Sequence, residues 1–251
     1  MSLEPNTTSD APRRTDADAW ARPVDRLTVG RRADGALTDT VHGKRLAGPL
    51  QGFGQMWQKT FRVVLDGAGT ETTPQSVIAS WKEHFPEFWP KGNTFYAPLA
   101  GIRPGEVALL SGGVGPVALH TGVMVTFADD ESFTLMTPQG HMLAAWITFS
   151  AGRTADGTVY AQAQALERAS DPMFELGFMI PGLHRMNNRF WEHTVEALAR
   201  HHGVEATCET TVVRVDRRRQ WRDAGNVRHS AVFRSALHTM TAPVRWLRRA
   251  R

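Results

Sequence analysis

The sequence predicts an α+β fold: a curved antiparallel sheet wrapped around a long C-terminal helix, with an extended N-terminal arm and a basic C-terminal tail. Three observations carry this expectation. Across residues 106–166, apolar and polar residues alternate in runs separated by short turns, the pattern of strands joined as an antiparallel meander. Residues 73–85 and 171–203 instead repeat apolar residues at helical spacing. The order is then strand, short helices, several strands, long helix. A curved antiparallel sheet cannot bury its concave face alone, so the last helix must lie across it.

The first twenty residues are rich in Ser, Thr, Asp, Pro and Arg and are expected to be disordered, because they cannot bury enough apolar surface to offset ordering. The arm is assigned to 1–45, the domain to 46–205 and the tail to 206–251. In the first strand, Trp57, Phe61, Val63 and Leu65 share one face, and Lys59 is the exception on it. Thr73-Pro74 caps and opens a helix in which Val77, Ile78, Trp81 and Phe85 recur, and Pro86 stops it. Strands follow around Val107–Leu110, Leu119–Phe127, Phe133–Met136, Leu143–Phe149 and Val159–Leu166. The turns between them are marked by Gly112-Gly113-Val114-Gly115-Pro116, Asp129-Asp130-Glu131, Pro138-Gln139-Gly140-His141 and Asp156-Gly157. Asp171-Pro172 starts the long helix, Pro181-Gly182 kinks it, and Gly203 ends it. Thr210–Val215 has the composition of an extra strand, and an amphipathic helix is possible over 226–251.

Composition narrows the function classes. No run of eighteen apolar residues exists and the N-terminus lacks a signal-peptide core, so neither a spanning helix nor secretion is expected. A single cysteine, Cys208, fits a reducing compartment and excludes a Cys-cluster zinc site. The protein is therefore expected to be cytoplasmic, with a peripheral membrane contact as an alternative. The net charge of +4 is unevenly placed. From Val212 onward eleven Arg face two Asp, a net +9, so everything before carries −5. Basicity belongs to the tail. Residues 217–251 are a candidate for an anionic membrane surface, while nucleic acid is not the expected partner. Nucleotide-binding glycine loops, a Gly-x-Ser-x-Gly elbow and a His-Glu-x-x-His pair are all missing, so no cofactor or metal is expected.

The element order, together with Gly140-His141, Trp146-Ile147-Thr148-Phe149 and Ala169-Ser170-Asp171-Pro172 ahead of the long helix, resembles the START/Bet v 1-like (SRPBCC, helix-grip) superfamily. Within it the chain looks like a DUF1990-type branch. The resemblance covers about residues 55–205. It implies a cavity between sheet and long helix that takes lipids, sterols, polyketides or plant hormones, and in some members an aromatase/cyclase activity.

Two readings of the residues follow. The leading one is binding or carriage of a hydrophobic small molecule or lipid, with Trp81, Phe85, Phe88, Trp89, His120, Trp146, Gln162, Phe178 and Met179 as candidate lining. The alternative is a cyclase- or dehydratase-like enzyme in which His141 works with Tyr160 or Glu167 as acid and base. It requires these side chains to meet in one pocket. Tyr160, Gln162 and Gln164 alternate with Ala161, Ala163 and Ala165, and either face can be the concave one.

Overall fold

The alternation at 56–65 folds as strand β1, Met56–Val64, with Phe61 and Val63 buried and Val64 on the opposite, exposed side. Lys59 shares the buried face at 1% exposure. The computed structural model describes residues 17–30, 37–114, 117–179 and 183–231. The remaining strands are β2 (Thr94–Tyr96), β3 (Val107–Val114), β4 (Val117–Ala128), β5 (Ser132–Met136), β6 (Leu143–Arg153), β7 (Val159–Ala169) and β8 (Glu209–Asp216). They form one curved eight-stranded sheet in the order β2-β3-β4-β5-β6-β7-β1-β8, every neighbouring pair antiparallel.

Register decides which residues face inward, because directly paired residues share a sheet face. Phe61 pairs with Ala163, which pairs with Phe149. All three are fully buried. Two large rings flank a methyl group, so the alanines of β7 mark the inner face. Tyr160, Gln162 and Gln164 are therefore on the outer face. There the Arg62 guanidinium lies 4.4 Å from the Tyr160 ring centre and donates to Gln162 Oε1.

Helix α1 (Pro74–His84) begins at a capping box: Thr73 Oγ1 accepts from Ser76 N, and Ser76 Oγ accepts from Thr73 N. A 3-10 turn, Phe85–Phe88, follows it. Asp171 caps α2 (Pro172–Phe178), accepting from Met173 N and Phe174 N at 2.9 Å. Helix α3 (Leu183–His201) ends where Gly203 takes φ +76°. Gly203 N then donates to the Arg200 carbonyl and Val204 N to the Ala199 carbonyl, the paired bonds of a glycine-terminated helix. The kink expected at Pro181-Gly182 lies outside the described residues, as does the turn centre Gly115-Pro116.

The core fills one half of the space between sheet and helices. Phe133 and Phe149 stack at 4.6 Å, and Phe85 meets Phe95, Phe133 and Phe149 edge-on at 4.8–5.5 Å. Trp81 packs against Phe149 at 5.1 Å. A smaller cluster lies on the outer face, where Leu27 and Val41 of the arm cover Val107, Leu109 and Met124. Trp20, within the segment expected to be disordered, bridges to Phe127 and packs edge-on against its ring at 4.7 Å.

The short strand β2 had no signal of its own in the sequence. Strand β8 lies where an extra strand was expected, and the domain end assigned at 205 falls between α3 and β8. Residues 217–231 then cross the end of the sheet as a strap. Gln220 N donates to the Phe53 carbonyl, Asn226 Nδ2 to the Gln51 and Ser170 carbonyls, and Ala231 N to the Gly140 carbonyl. Gly140 has φ +95° and a side chain there would strike the His229 carbonyl, so the strap needs glycine at this point. Within the strap Trp221–His229 is 3-10 rather than the start of an α-helix. The rest of the expected 226–251 helix, from residue 232, lies outside the described residues. Among the described residues no helix is long and apolar enough to cross a membrane.

Candidate functional site

Side-chain volume falls along β5, along β1 and along β6 as far as Ala145. β5 leads from Phe133 to Leu135, with Thr137 just beyond its end; β6 leads from Phe149 through Ile147 to Ala145, before Leu143 at its start; β1 leads from Phe61 to Lys59. The rings fill one end. At the other end the helices do not close on the smaller residues, and a cavity of about 250 Å³ remains. Leu135, Ala145, Ile147 and Ala165 line it from the sheet, and Phe178, Met186, Phe190 and Trp191 from α2 and α3. Met186 is also 44% exposed, so the cavity reaches the surface beside α2.

One wall is polar. Glu167 on β7 lines the cavity, and the Lys59 Nζ behind it is 2.7 Å from Glu167 Oε1, both side chains at most 5% exposed. Asn187 of α3, also lining, donates to the same oxygen at 3.3 Å. No other acceptor reaches the Lys59 ammonium among the described residues. Two opposite charges so placed have lost their water and depend on each other. To the cavity they present a carboxylate that is already neutralised.

His141 lines the cavity from the loop before β6. Its Nδ1 lies 3.0 Å from the Leu143 amide nitrogen and 3.1 Å from the Leu143 carbonyl oxygen, so the Leu143 backbone holds this ring nitrogen in either tautomer. Burial pushes the imidazole down to about 4, so the ring is neutral around pH 7. Thr137 Oγ1, a further lining group, is occupied by the backbone: it donates to the Ala47 carbonyl and accepts from Ala145 N.

Of the residues singled out from sequence, Trp89, His141, Glu167 and Phe178 meet around this cavity. Trp81, Phe85 and Phe88 do not line it; they are 0–4% exposed and fill the aromatic half of the core. Tyr160 and Gln162 face outward, so Tyr160 cannot join His141 and Glu167. His120 pairs with Ser111 while Leu119 and Thr121 line the cavity, which puts the imidazole on the outer face. Trp146 borders the cavity, but its partners are Met136 and Leu166. Alternation with Ala145 and Ile147 therefore turns its ring to the outer face, beside Gly48. Met179 ends α2 with 63% exposure and is no part of the lining.

Lys59 and Asn187 were not among the expected site residues. Lys59 carried a signal, as the one charge on an apolar strand face. Asn187 carried none. Cys208 is a poor nucleophile here: burial pushes its thiol up to about 11. Among the described residues no group of His, Cys, Asp and Glu is arranged to hold a metal ion.

No family model matches the chain, the DUF1990-type branch included, and no curated protein matches it. Solved structures of START/Bet v 1-like proteins do match. A START superfamily protein from Mycobacterium smegmatis is 18% identical, over 60% of this chain and 98% of that one, with a TM-score of 0.39. Ara h 8.0201 is 12% identical, over 58% of this chain and 97% of that one, with a TM-score of 0.39. The di-domain ARO/CYC StfQ from the steffimycin biosynthetic pathway is 10% identical, over 60% of this chain and 53% of that one, with a TM-score of 0.43.

Proposed function

We propose that the protein binds a small, largely apolar molecule or a lipid chain in the cavity between β5–β7 and α3, with one polar group of the ligand at Glu167 and Asn187. The observation that carries this reading is the uneven filling of one core. Rings pack one end to closure, and the other end is left open, apolar and reachable from the surface. Its volume is near the lower end of ordinary ligand pockets, about 300–1,000 Å³.

The enzymatic alternative is weakened on two counts. Tyr160 is on the wrong face, and an imidazole lowered to about 4 by burial is a weak base that supplies no imidazolium as an acid at neutral pH. His141 and Glu167 serve binding better, as hydrogen-bonding groups fixed in an apolar wall.

The test is native mass spectrometry of gently purified protein beside Ala145→Phe, which places a ring in the cavity. A copurifying apolar ligand in the unmodified protein, absent from a folded Ala145→Phe, is the expected result. A ligand retained equally by both would place binding elsewhere and defeat the reading.

A further inference from the structure

The strap and α2 meet beside the cavity opening, and together they make a surface that the ligand-binding reading does not use. Helix α2 exposes Leu176 at 66%, and Met179 just beyond it at 63%; Met186 at the start of α3 adds 44%. Arg219 of the strap joins these to the tail: its Nε is 2.9 Å from Glu175 Oε1, and its Nη2 is 4.0 Å from Met179 Sδ. Two residues on, Trp221 rests edge-on against Phe53 at 5.2 Å and still exposes 75% of its surface. Arg222 then reaches the carbonyl of Leu50, itself 61% exposed. Large apolar residues and arginines thus alternate from Leu50 across the strap to α2.

The charge on this run is positive on balance. Arg214, Arg217, Arg218, Arg219 and Arg222 stand against Asp216, Asp223 and Glu175. Asp216 is shared between the buried Arg168, 2.7 Å away, and Arg218, 3.1 Å away, and Arg222 pairs with Asp223 at 3.2 Å, so five arginines against three acids leave a net +2 on the run. Arg218 and Arg222 keep 84% and 73% of their side chains in solvent.

We infer that this face docks on an anionic lipid surface and sets the cavity opening against the bilayer. Leu50, Leu176, Met179 and Trp221 enter the headgroup boundary, and the arginines meet lipid phosphates. Apolar side chains among arginines, next to an apolar cavity, fit that partner better than nucleic acid, which needs charge but has no use for exposed leucine and methionine. A ligand leaving past Met186 would then enter acyl chains without crossing water.

Vesicle flotation of the full chain tests this. Vesicles of phosphatidylcholine with about a third phosphatidylglycerol are compared with phosphatidylcholine alone. Docking is read whether or not the cavity holds a ligand, so its failure is separate from failure of the binding reading. The unmodified protein should float with the anionic vesicles and at least tenfold less with the neutral ones. Each arginine near the surface contributes about fivefold, so Arg217→Glu/Arg218→Glu/Arg222→Glu should lose at least tenfold. Leu176→Ser/Met179→Ser should lose binding in high salt, where the apolar contacts dominate. These side chains are exposed, so unchanged melting curves check that both variants are folded. Flotation retained by both variants would overturn the proposal. So would equal flotation on the two vesicle types, or a preference for nucleic acid over vesicles.

Discussion

The two ends of the space under the sheet are built from the same strands and differ in side-chain size and polarity. At the α1 end Phe61, Phe133, Phe149, Phe85 and Trp81 interlock, each fully buried. At the α2 end the same strands offer leucine, alanine, threonine and a buried ion pair, and a cavity persists. The fold does not make the cavity. The step down in residue volume from Phe133 to Leu135 on β5 and from Phe149 to Ala145 on β6 makes it, and the helices bridge over the shallower end.

The sharpest way to break that contrast is to empty the filled end. Phe85→Ala should cost about 3–5 kcal/mol in urea denaturation, since the ring has neighbours on every side. Leu135→Ala at the open end should fall near the bottom of the about 2–5 kcal/mol range for such truncations, because Leu135 already borders empty space. Equal losses at the two positions would mean that the ends are packed alike.

The ion pair gives the next largest effect. Lys59→Met leaves the Glu167 carboxylate buried without its cation and should cost about 3–5 kcal/mol, whereas Lys59→Met/Glu167→Leu should recover most of that loss. If the double variant is stable but no longer retains the ligand, the pair serves recognition and not the fold.

His141 sharpens the contrast through pH. Its folded value, about 4, lies below the ordinary 6.5, so the unfolded chain binds the proton more tightly. The contribution is intact above about 6.5, is lost as pH falls from there to about 4, and is level below. At about 1.4 kcal/mol per unit, the loss is at most about 3 kcal/mol. His141→Phe should flatten the denaturation midpoint over that window. An unchanged slope would show that the ring is solvated. The smallest effect is at the α2 cap, where Asp171→Ala should cost about 1–2 kcal/mol and loosen α2 at the cavity opening.

Much of the sheet was legible because alternation and turn residues are local signals. The helix starts at Thr73-Pro74 and Asp171-Pro172 were legible for the same reason. Alternation divides a strand into two faces without saying which is inside. That is why Trp146 and Gln162 were assigned to the lining and face outward. The inner face of β7 is the one whose alanines fit between Phe61 and Phe149, a fact about neighbours 102 and 14 residues away. Lys59 was visible as an anomaly, but its partner across β1 and β7 was not. Asn187 reaches Glu167 from a helix, and only tertiary packing sets that angle. Trp81, Phe85 and Phe88 were read as lining because aromatic residues suit both pockets and cores, and composition cannot choose between the two.

Arg168 has a consequence for how the molecule comes apart. Its buried guanidinium donates to the Gly54 carbonyl, the Arg218 carbonyl and the Asp216 carboxylate, tying together stretches far apart in sequence. Strand β8 adds its ladder to β1, and the strap adds its bonds to Phe53, Gln51, Ser170 and Gly140. A protease that nicks the exposed link around Glu205 and Thr207 therefore leaves two fragments that stay associated. They should elute as one species and separate only in denaturant.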